Sequence, residues 1–184
     1  EAVSYAYDAA TKLGTQVVSL VIGKVAEEEL KKLAEYGSEK IVYGENEELK
    51  SHKSSAIAKA MAGAAEKEGS SLIIIPHTFN GKSLAGRVSA KLSAGDASGA
   101  VEGIESEGDK VIVKKASFSG KGFNKVKINS QVGIVTVTTN SFGAHSNPRG
   151  GTIEAMDVSD DGSLTIINQE KVTGKIPLTE AELV

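Results

Sequence analysis

Three short apolar runs, QVVSLVIG (16–23), SLIIIP (71–76) and VGIVTVTT (132–139), constrain the fold more than any other feature of this sequence. Each is apolar at successive positions rather than alternate ones, so each must be a strand covered on both faces. Helical periodicity fills much of the space between them. Residues 1–13, EAVSYAYDAATKL, place Val3, Ala6, Tyr7, Ala10 and Leu13 on one face. Residues 25–37 direct Leu30, Leu33 and Ala34 inward, and residues 54–69 align Ile57, Met61 and Ala65. After Pro76, Leu84, Val88 and Leu92 repeat at the same spacing, and SEKIVYG (38–44) adds a short strand. Strands alternating with helices predict an α/β domain with a mostly parallel sheet. The first helix is already under way at Glu1, with no capping residue before it. A strand is therefore expected just upstream, because a right-handed crossover needs strand, helix and strand.

The pattern changes near Gly95. Residues 99–129 read as short alternating strands with turns at Glu107-Gly108-Asp109 and Ser119-Gly120-Lys121-Gly122, an antiparallel extension. Residues 140–151 read as a loop. Residues 152–171 are expected to form two strands about Asp160-Asp161-Gly162, with Ile153, Ala155 and Met156 opposite Leu164 and Ile166. The sequence thus divides into an α/β domain over 1–150 and a strand arm and linker over 151–184.

The loop between SLIIIP and the helix after it carries Gly81-Lys82-Ser83, and strand, loop, GKS, helix is the layout of a phosphate-binding loop. The pattern also requires a glycine five residues before Gly81, and that residue is Pro76. Proline has no amide to offer a phosphate and a fixed φ. What is left is a weaker anion site at a helix N-terminus. Thr78 and Asn80 lie at its entry, Asn80 is the expected cap, and Gly81 and Lys82 fall in the first turn. The plainer reading of the same residues is a capped helix start with a solvated lysine.

Other chemistry is thinly represented. Absence of cysteine removes disulfides, thiolate catalysis and Cys-based metal sites. His52, His77 and His145 are scattered without metal-ligand spacing, and no nucleophile-elbow motif surrounds any serine. No catalytic or metal-ligating residue is therefore assigned. Lys114, Lys115, Lys121, Lys125 and Lys127 cluster with Phe118 and Phe123 in the extension. A net charge of −3 argues against a nucleic-acid surface there, and guarded strand edges explain the lysines better. No run is long enough to span a membrane, and with no targeting segment in view the expected compartment is a bacterial cytoplasm, with the mitochondrial matrix as the alternative.

The stretches IIIPHTFNGKSLAGRVSAKL, DASGAVEGIE, SFSGKGFNKVKI and VGIVTVTTNSFG together resemble the N-terminal domain of the electron transfer flavoprotein alpha subunit. The family usually has Pro at the position of Gly86 and Arg at that of Thr138. The resemblance implies a three-layer, adenine-nucleotide-hydrolase-like α/β sandwich. It further implies a heterodimer with the beta subunit, carrying electrons on FAD from dehydrogenases to an acceptor, as in fatty acid oxidation. The FAD site is expected mainly in a C-terminal domain beyond this sequence, with LTEAELV as the lead-in to it. The role implied for these residues is that of a scaffold that binds a partner, with Phe118, Phe123 and Phe142 as apolar anchors.

Overall fold

Gly14 ends the first helix where the sequence places a stop: it adopts φ 68° and its N–H closes on the Ala10 carbonyl. The computed structural model describes residues 1–49, 51–108, 110–160 and 162–168. Helix α1 (Ala2–Leu13) is followed by β1 (Val18–Ile22), α2 (Glu27–Glu35), β2 (Lys40–Gly44), a single 3-10 turn (Glu47–Leu49), α3 (Ser54–Lys67), β3 (Leu72–Pro76) and α4 (Phe79–Leu92). Strands β4 (Gly95–Ala100), β5 (Glu105–Glu107), β6 (Lys110–Ser117), β7 (Gly122–Ile128), β8 (Gly133–Val137) and β9 (Thr152–Ala155) complete the described chain.

The strands form two sheets. One runs β1-β2-β9, with all pairings parallel. The other runs β3-β8-β4-β6-β5, parallel as far as β4 and antiparallel beyond it, with β7 on the far side of β6. The predicted mixture of a parallel core and an antiparallel extension is present.

Strand β8 shows why the fold has three layers. All five of its residues are buried. Val135 and Val137 pack with Tyr5 and Ala9 of α1, whereas Ile134 packs with Ala85 and Val88 of α4 and Ala58 of α3. Alternate residues of a strand point to opposite faces, so α1 covers one face and α3 with α4 the other. A strand so enclosed has no need of polar residues, which is why VGIVTV reads as a continuous apolar run.

Two details of the sequence reading are corrected. The face of α1 that enters the core is carried by Ser4, Tyr5, Ala9 and Ala10, while Val3, Ala6 and Leu13 are only partly buried. Helical spacing identifies an apolar stripe but not the neighbour it meets. Here Tyr5 is the deeper residue because its hydroxyl can donate to the Glu102 carbonyl at 3.0 Å. The hairpin expected about residues 160–162 does not form over the described residues. Thr152–Ala155 instead lies parallel on β2, pairing Ile153 with Ile41 and Ala155 with Tyr43. Leu164 and Ile166 are exposed and belong to no strand. An existing parallel edge offers a longer ladder than an isolated two-stranded ribbon, which is marginal by itself in water. Val158 then folds over the end of β2, leaving no room for a side chain at Gly44, where a Cβ would lie 2.2 Å from the valine Cγ2. The linker expected over 169–184 lies outside the described residues.

Candidate functional site

The Gly81-Lys82-Ser83 turn begins α4 at the carboxyl end of β3. Thr78, not Asn80, is the cap: its backbone is extended and its Oγ1 accepts from the Gly81 N–H at 3.1 Å. Asn80 lies one turn position too deep, inside the helix, and its carbonyl accepts from Ser83 Oγ at 2.7 Å. The Lys82 N–H donates to the Thr78 carbonyl at 2.9 Å. Two of the amides that would face an anion are thus already occupied. The Lys82 side chain is exposed.

Gly81 is glycine for a packing reason. A Cβ there would lie 1.9 Å from the Pro76 carbonyl oxygen and 3.1 Å from Ile75 Cγ2. The helix start presses directly on the strand end, and only a residue without a side chain permits that approach. The motif element that looks phosphate-directed in the sequence is used here to seat a helix.

Two histidines that are far apart in the sequence flank this turn. His52 Nε2 lies 3.2 Å from Ser83 Oγ, and His77 Nδ1 lies 2.6 Å from the buried Thr136 Oγ1. Thr136 Oγ1 also accepts from the Gly99 N–H at 2.9 Å, which leaves its own proton to donate to His77. Burial lowers the pKa of His52, and burial, then Lys82 and Lys115, lowers that of His77 against an opposing effect of Asp96. His145 lies elsewhere, beside Phe142. Among the described residues no group of three or more His, Cys, Asp or Glu side chains could hold a metal.

Among the described residues the buried polar side chains are all engaged structurally. Ser4 Oγ accepts from the His145 N–H at 3.0 Å, Ser38 Oγ donates to the Lys40 carbonyl at 2.9 Å, and Thr136 is bonded as described. Two hydroxyls stand beside an imidazole, Ser83 beside His52 and Thr136 beside His77; Ser83 Oγ already donates to the Asn80 carbonyl, and the other distinctive features of the described residues lie on their surfaces.

Those surfaces separate the three aromatic anchors expected from the sequence. Phe118, at the tip of the β6–β7 hairpin, is 84% exposed, and Phe123 on β7 is 58% exposed with the Lys114 ammonium 4.5 Å from its ring centre. Phe142 is not a surface anchor. It is partly buried, edge-on to Tyr5 at 4.9 Å, and wedged against Gly103. Phe79 was missed by sequence reasoning and is 88% exposed at the first position of α4. Its signal was an aromatic residue at a helix start, outside the apolar stripe of Leu84, Val88 and Leu92. Three lysines of the extension form ion pairs: Lys114 with Glu102, Lys125 with Glu105 and Lys127 with Glu107. The exposed Phe118 and Phe123 stand out beside them on the hairpin. No helix among the described residues is long and apolar enough to cross a membrane.

Residues 1–161 match the family model described as the electron transfer flavoprotein domain. The chain is 28% identical over 173 residues to the electron transfer flavoprotein subunit alpha of Bacillus subtilis, covering 92% of this chain and 53% of that protein. It is 27% identical over 112 residues to protein FixB of Clostridium saccharobutylicum, covering 60% of this chain and 33% of that protein. It is 30% identical over 95 residues to the acryloyl-CoA reductase electron transfer subunit beta of Anaerotignum propionicum, covering 52% and 26% respectively. The chain therefore spans about half the length of its relative from Bacillus, and with a family match running from the first helix past the last strand it belongs to the electron transfer flavoprotein domain family.

Proposed function

We propose that these residues are the scaffold and partner-binding domain of an FAD-dependent electron carrier, which passes electrons from dehydrogenases to an acceptor. The carrying observation is the family match over residues 1–161 in a chain that spans 53% of its Bacillus relative. The engagement of Ser4, Ser38 and Thr136 in structural hydrogen bonds supports a role through geometry rather than through chemistry at these residues. FAD is assigned to the remainder of the natural polypeptide, and the partner is a beta subunit of the same family. In this reading the Thr78–Lys82 turn serves as a helix start.

The contact with the beta subunit is assigned to the extension, with Phe118 and Phe123 as its anchors. Exposed aromatic residues on a hairpin that also carries ion-paired lysines have the composition of an interface centre with a polar rim. Replacing both by alanine in the full-length subunit is expected to weaken beta-subunit binding at least about tenfold by calorimetry, with bound flavin unchanged. Unaltered affinity removes the extension from the interface. If AMP, ATP or FAD instead raises the melting temperature of residues 1–184, and Lys82→Ala abolishes the rise, the turn is a nucleotide site and the scaffold reading gives way.

A further inference from the structure

Helix α4 carries three cations, Lys82, Arg87 and Lys91, and no acidic residue. All three side chains are exposed, and among the described residues none of them meets a carboxylate. By contrast, Lys31 and Lys32 of α2 pair with Glu27 and Glu29, and Lys67 of α3 pairs with Glu154.

Three residues of α4 run against the stability of the helix itself. Lys82 puts a positive charge in the first turn, where the helix dipole favours a negative one, and no acidic residue offsets it. Gly86 lies in the helix interior, where glycine is the poorest former after proline. A Cβ at Gly86 meets nothing within 4 Å, so no described neighbour requires the glycine. Phe79 is 88% exposed at the first helical position. Residues that the fold does not need, and that weaken it locally, are expected where a surface is used.

The helical repeat arranges these residues on one face. At about 100° per residue, Phe79, Gly86 and Ala90 fall within about 40° of one another, on a line about 16 Å long. Gly86 and Ala90 are exposed like Phe79. Lys82 lies about 60° to one side of this line, and Arg87 and Lys91 lie about 80° and 120° to the other. The opposite side holds Gly81, Leu84, Ala85 and Val88, all buried. The outer face is thus a low, uncharged strip with an aromatic ring at its head and cations on both flanks. A second helix can approach such a strip closely, because nothing larger than a methyl group stands at Gly86 or Ala90.

Charge selects the occupant. The flanking cations match carboxylates on the two flanks of an approaching helix, and the strip matches its apolar ridge. A bilayer finds one large apolar residue to bury here, Phe79, and a net charge of −3 opposes nucleic acid and anionic membrane alike. We propose that the outer face of α4 is a docking surface for an acidic amphipathic helix of a partner protein. The apolar ridge of that helix lies on Phe79, Gly86 and Ala90, and its carboxylates pair with Lys82, Arg87 and Lys91. The face shares no residue with the extension assigned to the beta subunit, and its partner is a different protein.

Fluorescence anisotropy tests this on the full-length subunit. The probe is a stapled helical peptide about four turns long, with leucine and alanine along one face and glutamate on both flanks. It is expected to bind, and to bind more tightly as salt is lowered. Lys82→Glu, Arg87→Glu and Lys91→Glu together are expected to weaken binding at least about tenfold. Gly86→Leu is expected to weaken it as much without lowering the melting temperature, since the space outside Gly86 is open. Beta-subunit affinity and bound flavin are read on the same samples, so that loss of the scaffold role registers separately. Equal binding of a peptide with lysine in place of glutamate overturns the proposal, as does an affinity indifferent to the charge reversals. Phosphatidylglycerol vesicles or oligothymidylate that compete as strongly as unlabelled peptide overturn it in favour of a general polyanion surface. Displacement of the peptide by the beta subunit overturns it in favour of a larger subunit contact. Binding by residues 1–184 but not by the full-length subunit overturns it in favour of a face covered by the rest of the polypeptide.

Discussion

Gly81 and Gly86 lie on the same helix five residues apart and carry opposite expectations. A methyl group at Gly81 meets the Pro76 carbonyl at 1.9 Å, and backbone rather than a flexible side chain must move. Gly81→Ala is expected to destabilise the protein by about 1–3 kcal/mol in urea unfolding. Gly86 is exposed, and a methyl group there meets nothing within 4 Å. Gly86→Ala is expected to stabilise by about 0.5–1 kcal/mol, because alanine loses less backbone freedom in a helix. If both substitutions stabilise, the helix start is not pressed on the strand. The sequence marked Gly81 as special through its motif. The reason for it, a carbonyl one turn away in space, is a property of packing.

At the scale of the element, β9 depends on charge as well as on its ladder. The Glu154 carboxylate receives Lys40 Nζ at 2.7 Å and Lys67 Nζ at 2.6 Å, joining β9 to β2 and to α3. These bonds, Lys40 first, hold its pKa at about 2, below the ordinary value of 4.5. A carboxyl whose folded pKa is depressed contributes stability above its unfolded pKa and loses it as pH falls. The stability difference between the native protein and Glu154→Gln is therefore expected to be full above about pH 5 and to vanish towards pH 2. Thermal melts across that window measure it, and a difference independent of pH excludes the ion pairs as its source. Lys40 and Lys67 lie more than eighty residues from Glu154, beyond the reach of any local pattern.

At the scale of the whole molecule, β9 and the residues after it close the first sheet. Val158 is 4% exposed and packs with Leu49, Ala56 and Ala60. Lys53 forms an ion pair with Asp160. A chain ending after Gly150 exposes the outer edge of β2 and uncovers this cluster, whereas one ending after Asp160 keeps both. The shorter chain is expected to melt well below the longer one in scanning calorimetry, by more than the loss of one buried valine, about 1.5–3 kcal/mol, implies. Equal melting temperatures show that β9 is an independent arm. The strand itself was legible in TIEA; its partner was not. Period-two alternation says that a segment is extended, and it does not say whether the nearest edge in sequence or the best edge in space will pair with it.

The sequence alone determined the class of this fold. Runs such as VGIVTV and the helical stripes between them admit few arrangements other than helices on both faces of a largely parallel sheet, because burial and periodicity act locally. The same residues carried the family resemblance that the match over residues 1–161 bears out. Tertiary structure decided the rest. It turned Gly81 from a phosphate signature into a contact with Pro76, moved the cap from Asn80 to Thr78, and took Phe142 from the surface to the side of Tyr5. Among the described residues it also left β1 paired with β2 alone and β3 with β8 alone, across one groove. Each of these outcomes depends on atoms distant in the chain approaching within a few ångströms, and such approaches are fixed by packing the whole core rather than by any segment of it.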